Sequence, residues 1–257
     1  MVPGLDQGLG ERAQARHLLG RLVQERLRVS QRPRALTGAG ASAESGIPVF
    51  RGADGWWRNR RAEELATPEA FSRDPKTVWE WYDYRRDIIA KAKPNLCHEF
   101  LARMENIHPR WHTITQNVDG LHQRAGSSRV LELHGSIWQV RCTACDVDYE
   151  DERVPIPILP SCRTCGGLVR PGVVWFGESL PQDVLQRAFA LAEDSDLFFV
   201  VGTSGVVEPA ASLARVAKSA GAFVVEINPE PSALTPAADA FLQGKAGEVF
   251  ERLLGLG

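Results

Sequence analysis

Apolar and polar positions along this chain follow two rhythms. Leu9, Leu18, Leu19, Leu22, Val23 and Leu27 fall at helical spacing, which predicts an amphipathic helix over 9–29, ended by Gln31-Arg32-Pro33. After it, short apolar runs each lead into small or hydrogen-bonding residues. Ala35-Leu36-Thr37 runs into Gly38, and Thr113-Ile114-Thr115 into Gln116-Asn117. Val130 to Leu133 runs into His134-Gly135, Leu197 to Val201 into Gly202-Thr203-Ser204, and Phe223 to Ile227 into Asn228-Pro229. Several runs are apolar on both faces, as strands buried in a parallel sheet are. Helical patterns separate many of them, for example at 182–193 and 209–220. This alternation predicts an α/β fold: a Rossmann-like doubly wound parallel sheet, with its ligand crevice beyond the carboxyl ends of the strands. Those ends carry the Gly, Gln, Asn, His, Thr and Ser that a nucleotide crevice needs.

Two stretches break the alternation. Residues 56–104 read as helical and tryptophan-rich, and residues 136–172 hold paired cysteines and several prolines. The expected organisation is a nucleotide-binding domain of residues 1–55, 105–135 and 173–257. A helical insertion (56–104) and a metal-binding module (136–172) together form a smaller inserted domain.

Composition narrows the function classes. An apolar fraction of 44%, a charged fraction of 24% and a net charge of −2 over 257 residues are ordinary for a globular chain. No basic stripe points to nucleic acid, and no apolar run is long enough to span a membrane. The N-terminal region is Arg-rich, as a transit peptide is. Asp6, Glu11 and Glu25 oppose that reading, and the default is a cytoplasmic monomer.

Cys142-Thr-Ala-Cys145 and Cys162-Arg-Thr-Cys165 form two CxxC pairs at a zinc-ribbon separation. Each pair can offer two thiolates along one edge of a tetrahedron around Zn²⁺. All four positions would be filled, so the zinc is expected to be structural. Cys97 stands apart and reads as a packed or solvent-facing thiol.

Gly38-Ala39-Gly40-Ala41-Ser42-Ala43 follows a strand and opens a helix, close to the GxGxxG/A pattern that brings backbone against a pyrophosphate. Taken alone it fits a structural tight turn equally well. The acidic residue expected about 20 positions on is not convincing, since Asp54 and Glu63 lie in irregular or inserted sequence. That disfavours a hydride-transfer dehydrogenase.

The longer run GAGASAESGIPVFRG, then Gln116-Asn117-Val118-Asp119, Leu133-His134-Gly135, the cysteine quartet and Gly202-Thr203-Ser204, resembles the sirtuin family in order and spacing over about residues 35–250. The resemblance implies NAD⁺ bound between a Rossmann domain and a zinc-bearing domain, and consumed as a co-substrate. By position, Gly38, Ala39, Gly40, Ala43 and Glu44 would lie along the dinucleotide. Phe50 and Arg51 would sit on a cofactor loop. Asn117 and Asp119 would line the nicotinamide pocket, with Gln116 at the nearby ribose. Gly202, Thr203, Ser204, Asn228 and Glu230 would hold the adenosine half, and Ala246 would lie near the adenine. In the family's reaction the acyl oxygen of a modified lysine attacks the ribose carbon bearing nicotinamide, and nicotinamide leaves. His134 would then act as general base toward the ribose hydroxyls so that the 2′-oxygen attacks the imidate carbon, and water would complete the release of free lysine and 2′-O-acyl-ADP-ribose. Val174-Trp175-Phe176-Gly177 would pair with the acylated peptide as an added strand.

Residues 77–91 predict a helix on which Tyr82 and Arg85 share a face. This YxxR resembles the acyl pocket of the desuccinylase branch, in which Tyr and Arg hold the distal carboxylate of succinyl-, malonyl- or glutaryl-lysine. Ala62 matches a small residue that leaves room for the longer chain. The expectation is therefore a deacylase that prefers acidic acyl groups, with weak deacetylase activity. The alternatives are a plain deacetylase in which Tyr82 and Arg85 merely pack, a mono-ADP-ribosyltransferase and a non-catalytic zinc module.

Overall fold

The structure is a computed structural model, and it describes residues 5–49 and 56–255. Helix α1 (Leu5–Val29) leads into strand β1 (Pro33–Thr37), whose five residues are all buried. On α1, Val23 is fully buried, and Leu19 and Leu27 pack beside it, one helical turn away on either side. Leu18 and Leu22 lie on the solvent side, so the apolar stripe is narrower than the sequence pattern predicts.

The glycine turn after β1 opens a single helical turn, α2 (Gly40–Ala43). A two-stranded ribbon follows, β2 (Trp56–Trp57) with β3 (Arg60–Arg61), and then α3 (Ala62–Leu65) and α4 (Pro68–Arg73). Helix α5 (Pro75–Lys91) starts where Asp74 caps the Thr77 N–H at 3.1 Å, with Pro75 at the first helical position. Helix α6 (Leu96–Ile107) is capped by Asn95, whose own N–H reaches back to His98 Nδ1 at 3.2 Å.

Then come β4 (His112–Thr115), α7 (Leu121–Arg124), β5 (Val130–Glu132), β6 (Gly135–Cys142), β7 (Asp148–Glu150) and β8 (Val169–Val173). The chain finishes with α8 (Gln182–Glu193), β9 (Leu197–Val201), α9 (Ala210–Ser219), β10 (Phe223–Asn228), β11 (Ala240–Gln243) and α10 (Ala246–Leu253).

Six strands form one parallel sheet in the order β5-β4-β1-β9-β10-β11. Counted along the chain, that is the dinucleotide-binding order, and it reverses direction between β1 and β9. Each predicted strand of this sheet is present. Strand β11 went unread because its four residues are half exposed and too short to show a period. The other sheet, β7-β6-β8, is antiparallel and carries the cysteine pairs.

One hydrophobic cluster joins α3, α4 and α5 to this antiparallel sheet, with Trp79, Trp81, Ile137, Val140 and Val169 at its centre. Trp79 Nε1 donates to the Val169 carbonyl at 2.9 Å, tying α5 to β8. Packing moves the expected end of the helical insertion. Helix α6, inside 56–104, sends Cys97, Phe100, Leu101 and Met104 into the parallel sheet's core, where Phe100 stacks on Phe250 at 4.1 Å. Its partners are therefore α10 and the large layer. Arg124 of α7 donates to the Ile89 and Ala92 carbonyls at 3.0 and 2.6 Å, satisfying the C-terminal end of α5. No helix among the described residues is long and apolar enough to cross a membrane.

The β1 and β9 loops meet in close backbone contact. Gly40 N–H donates to Gly202 O at 2.8 Å, and Gly38 N–H to Val201 O at 2.9 Å. Gly202 has φ +61°, and a Cβ there would stand 2.4 Å from the Ala41 nitrogen. Gly202→Ala therefore combines a left-handed backbone with a clash, costing more than the roughly 1–3 kcal/mol of backbone strain alone. Its thermal midpoint should fall by at least about 5 °C; a loss under about 2 °C would show that the two loops separate easily.

Candidate active site

The turn after β1, the ends of β4 and β9, and the loop after β10 converge on one cavity of about 880 Å³. Gly38, Ala39, Gly40, Gln116, Asn117, Asp119, His134, Gly202, Thr203, Ser204, Asn228 and Glu230 all line it. The glycines have a different reason from the one the motif predicts. A Cβ on Gly38 would meet Gly202 O at 2.8 Å, and one on Gly40 would meet Gly202 Cα at 2.7 Å. Their missing side chains are required by the neighbouring strand end before any ligand arrives.

Three motif residues fall away from this wall. Ala43 is exposed and Ala246 is buried at the first position of α10, and neither lines the cavity. The Glu44 carboxylate accepts the Gly247 N–H at 2.6 Å, so it serves the start of α10. Phe50 and Arg51 lie outside the described residues.

The polar floor is held by fixed bonds. Gln116 Nε2 donates to Thr203 Oγ1 at 3.0 Å, joining the ends of β4 and β9. Asn117 Nδ2 donates to Gly38 O and Ser42 Oγ at 3.0 and 3.1 Å. Ser42 Oγ donates to Asp119 Oδ2 at 2.7 Å, and the other oxygen of that carboxylate accepts Leu121 N–H at 2.9 Å. Behind them, His98 Nε2 stands 3.2 Å from Ser42 Oγ, and His122 Nε2 stands 2.9 Å from Thr37 Oγ1. Asn228 Nδ2 donates to Thr203 O and to the buried Glu226 carboxylate, which fixes the β10 end.

Ser42, His98 and His122 were not singled out from sequence. Their only sequence trace is Asn95-x-x-His98, the spacing of a capping box, and a serine inside the glycine turn.

The His134 tautomer follows from its partner. Nδ1 lies 2.9 Å from the Gln116 carbonyl, which can only accept, so Nδ1 carries the proton and Nε2 the free lone pair. Burial pushes its pKa below the ordinary 6.5, which keeps the ring neutral and basic at neutral pH.

The other wall comes from the small domain. Tyr82 and Arg85 of α5 line the cavity that holds His134, as do Val174, Trp175, Phe176 and Gly177. Tyr82 is 3% exposed, and burial raises its pKa, keeping the phenol protonated. Burial likewise lowers the pKa of Arg85, whose guanidinium lies 5.4 Å from the Trp81 ring. Arg86 faces away, donating to Ile137 O, and Tyr84 is half exposed. Ala62 is buried beside a side pocket of about 30 Å³, which shares Arg85, Ile47, Pro48 and Val49 with the main cavity.

The four module thiols gather within 4.8 Å of one another, with Cys142–Cys165 at 3.5 Å and Cys145–Cys162 at 3.8 Å. The edge of a tetrahedron with Zn–S bonds of about 2.3 Å is about 3.8 Å, so the set fits a zinc ion without rearrangement. Backbone N–H groups of Cys165 and Thr164 bring Cys162 down to about 6, favouring the thiolate that binds metal. Cys97 is fully buried, with its pKa raised by burial, and is not near this site.

The sequence model of the Sir2 family matches residues 38–209. The chain belongs to the Sir2 family. It is 60% identical over 212 residues to an NAD-dependent protein deacylase of Aquifex aeolicus (strain VF5), covering 82% of this chain and 89% of that protein. It is 58% identical over 218 residues to NAD-dependent protein deacylase 2 of Pyrobaculum aerophilum, covering 85% and 88%. The crystal structure of a Sir2 homologue–NAD complex superimposes with a TM-score of 0.88 at 51% identity, covering 92% of this chain and 93% of the other. NAD is thus the co-substrate of this Sir2-family protein, and the cysteine quartet could hold its structural zinc.

Two outcomes follow. The purified protein should carry about one equivalent of zinc, and stripping it should shift tryptophan emission to the red as the Trp79–Trp81 cluster opens. Metal-free protein with unchanged emission would contradict a structural role.

Burial also pushes His98 to about 4 and His122 to about 3, while unfolded imidazoles protonate near 6.5. Between those values the unfolded chain binds protons that the folded chain does not. Stability therefore rises with pH across this window and is lost as pH falls below about 6.5. Urea midpoints should decline from pH 6.5 to 4; a flat profile would show that the pair titrates normally.

Proposed function

We propose that this Sir2-family chain is an NAD-dependent protein-lysine deacylase whose acyl pocket selects chains ending in a carboxylate, as in succinyl-, malonyl- or glutaryl-lysine. One observation carries the second half. A phenol and a guanidinium, one turn apart on α5, line the cavity that contains the His134 imidazole. Both can donate to a carboxylate, and charge-assisted hydrogen bonds are the stronger kind. An acetyl group ends in a methyl and offers neither of them a distal acceptor. Discrimination then runs through donors that the wrong substrate leaves unsatisfied.

His134 supplies the base. With its Nδ1 proton held by the Gln116 carbonyl, Nε2 is free to take a proton from a ribose hydroxyl. Asn117 and Asp119, locked through Ser42, shape the pocket for the leaving nicotinamide. NAD would supply the electrophilic ribose carbon, and with one water consumed the products would be nicotinamide, acyl-ADP-ribose and free lysine. The target is an acylated lysine on an extended peptide laid along residues 174–177.

A panel of matched acetyl, succinyl, malonyl and glutaryl peptides tests the reading. A hydrogen bond to a charged group contributes roughly 1.5–3 kcal/mol. Arg85→Met should therefore lower the succinyl-to-acetyl ratio of kcat/KM by at least about tenfold. Equal losses on both peptides would leave the protein a plain deacetylase and sink the carboxylate clamp.

A further inference from the structure

Trp175 is 3% exposed, and its ring is fixed by several neighbours. The Arg170 guanidinium lies 3.5 Å from its ring centroid and is itself held by two bonds to Glu178, at 2.5 and 2.9 Å. The same carboxylate accepts the Trp175 backbone N–H at 2.8 Å, and Phe71 packs against the ring at 5.2 Å. So held, the indole N–H donates to Tyr82 Oη at 2.9 Å.

The direction of that bond is not a matter of choice. An indole nitrogen only donates, so the phenol oxygen accepts. The phenol proton must then point elsewhere, and among the described residues no group accepts it. Tyr82 lines the cavity, so a ligand there is where the unused proton can find an acceptor. A buried donor without an acceptor is unfavourable until one arrives. The cation over the indole face polarises the ring toward a stronger N–H donor, reinforcing the phenol's role as donor.

We propose that Trp175 is a positioning residue for acyl selectivity. By occupying the Tyr82 oxygen it converts the phenol from a group that can donate or accept into one that only donates, and so tunes the pocket for a carboxylate. The proposal rests on the acidic-acyl reading above and adds to it a residue that touches the clamp and not the acyl chain's carboxylate.

The test is a double-mutant cycle on succinyl and acetyl peptides. Trp175→Phe keeps an aromatic ring and removes the N–H. It should lower the succinyl-to-acetyl ratio of kcat/KM by about fivefold to tenfold, chiefly through the KM for the succinyl peptide. In a Tyr82→Phe background the same change should alter the ratio by less than about twofold, because the bond is already absent. Equal losses in both backgrounds would make Trp175 a packing residue only, and overturn the proposal. If Trp175→Phe leaves the ratio unchanged while Arg85→Met lowers it, this inference fails and the clamp stands. If the unaltered protein shows no acidic-acyl preference, both fail. Should Trp175→Phe not fold, NMR of the Trp175 indole proton decides: it should move upfield in Tyr82→Phe, and an unmoved resonance overturns the proposal.

Discussion

The turns after β1 and β9 approach so closely that a Cβ on Gly38, Gly40 or Gly202 would clash, and this protein places that approach at the centre of its parallel sheet. The turn after β1 and the turn after β9 bond to each other through Gly40 and Gly202. Three polar side chains of the cavity wall are anchored beside that contact. Gln116 reaches the Thr203 hydroxyl, Asn117 reaches the Gly38 carbonyl, and Asn228 reaches the Thr203 carbonyl. Asn117 and Asn228 are thus held by main-chain atoms that cannot rotate away.

The opposite wall has its own support. The tryptophan-rich helices and the antiparallel sheet bury one common cluster, and the cysteine quartet closes the far end of that sheet. Zinc takes no part in bond breaking in this arrangement. It secures β6 and β8, against which α5 presents Tyr82 and Arg85. The wall built on the parallel sheet and the wall that carries Tyr82 and Arg85 thus draw on separate hydrophobic cores.

Much of this was legible in the sequence. Five of the six strands of the parallel sheet announce themselves as apolar runs ending in Gly, Gln, His or Asn, because a strand covered on both faces has no polar period to hide it. The zinc quartet was legible from spacing alone. What stayed hidden depends on contacts between distant segments. The narrow stripe of α1 is set by what α10 and β11 leave uncovered. The membership of α6 in the large layer comes from Phe100 meeting Phe250. Glu44 reads as a ligand residue by motif position, and only the fold shows it bonded to Gly247. The Trp175 bond to Tyr82 spans 93 positions and leaves no local mark.

Arg124 has a mechanical consequence. It sits just downstream of Asp119, and its guanidinium holds the last carbonyls of the helix that carries Tyr82 and Arg85. Nearby, Ile137 N–H meets Val118 O, and Trp138 Nε1 meets Asp119 O, each at 2.9 Å. All these ties fall within residues 118–124, so this short segment braces the C-terminal end of the helix that carries Tyr82 and Arg85 against the chain beside Asp119, and a displacement of either is passed to the other through these bonds.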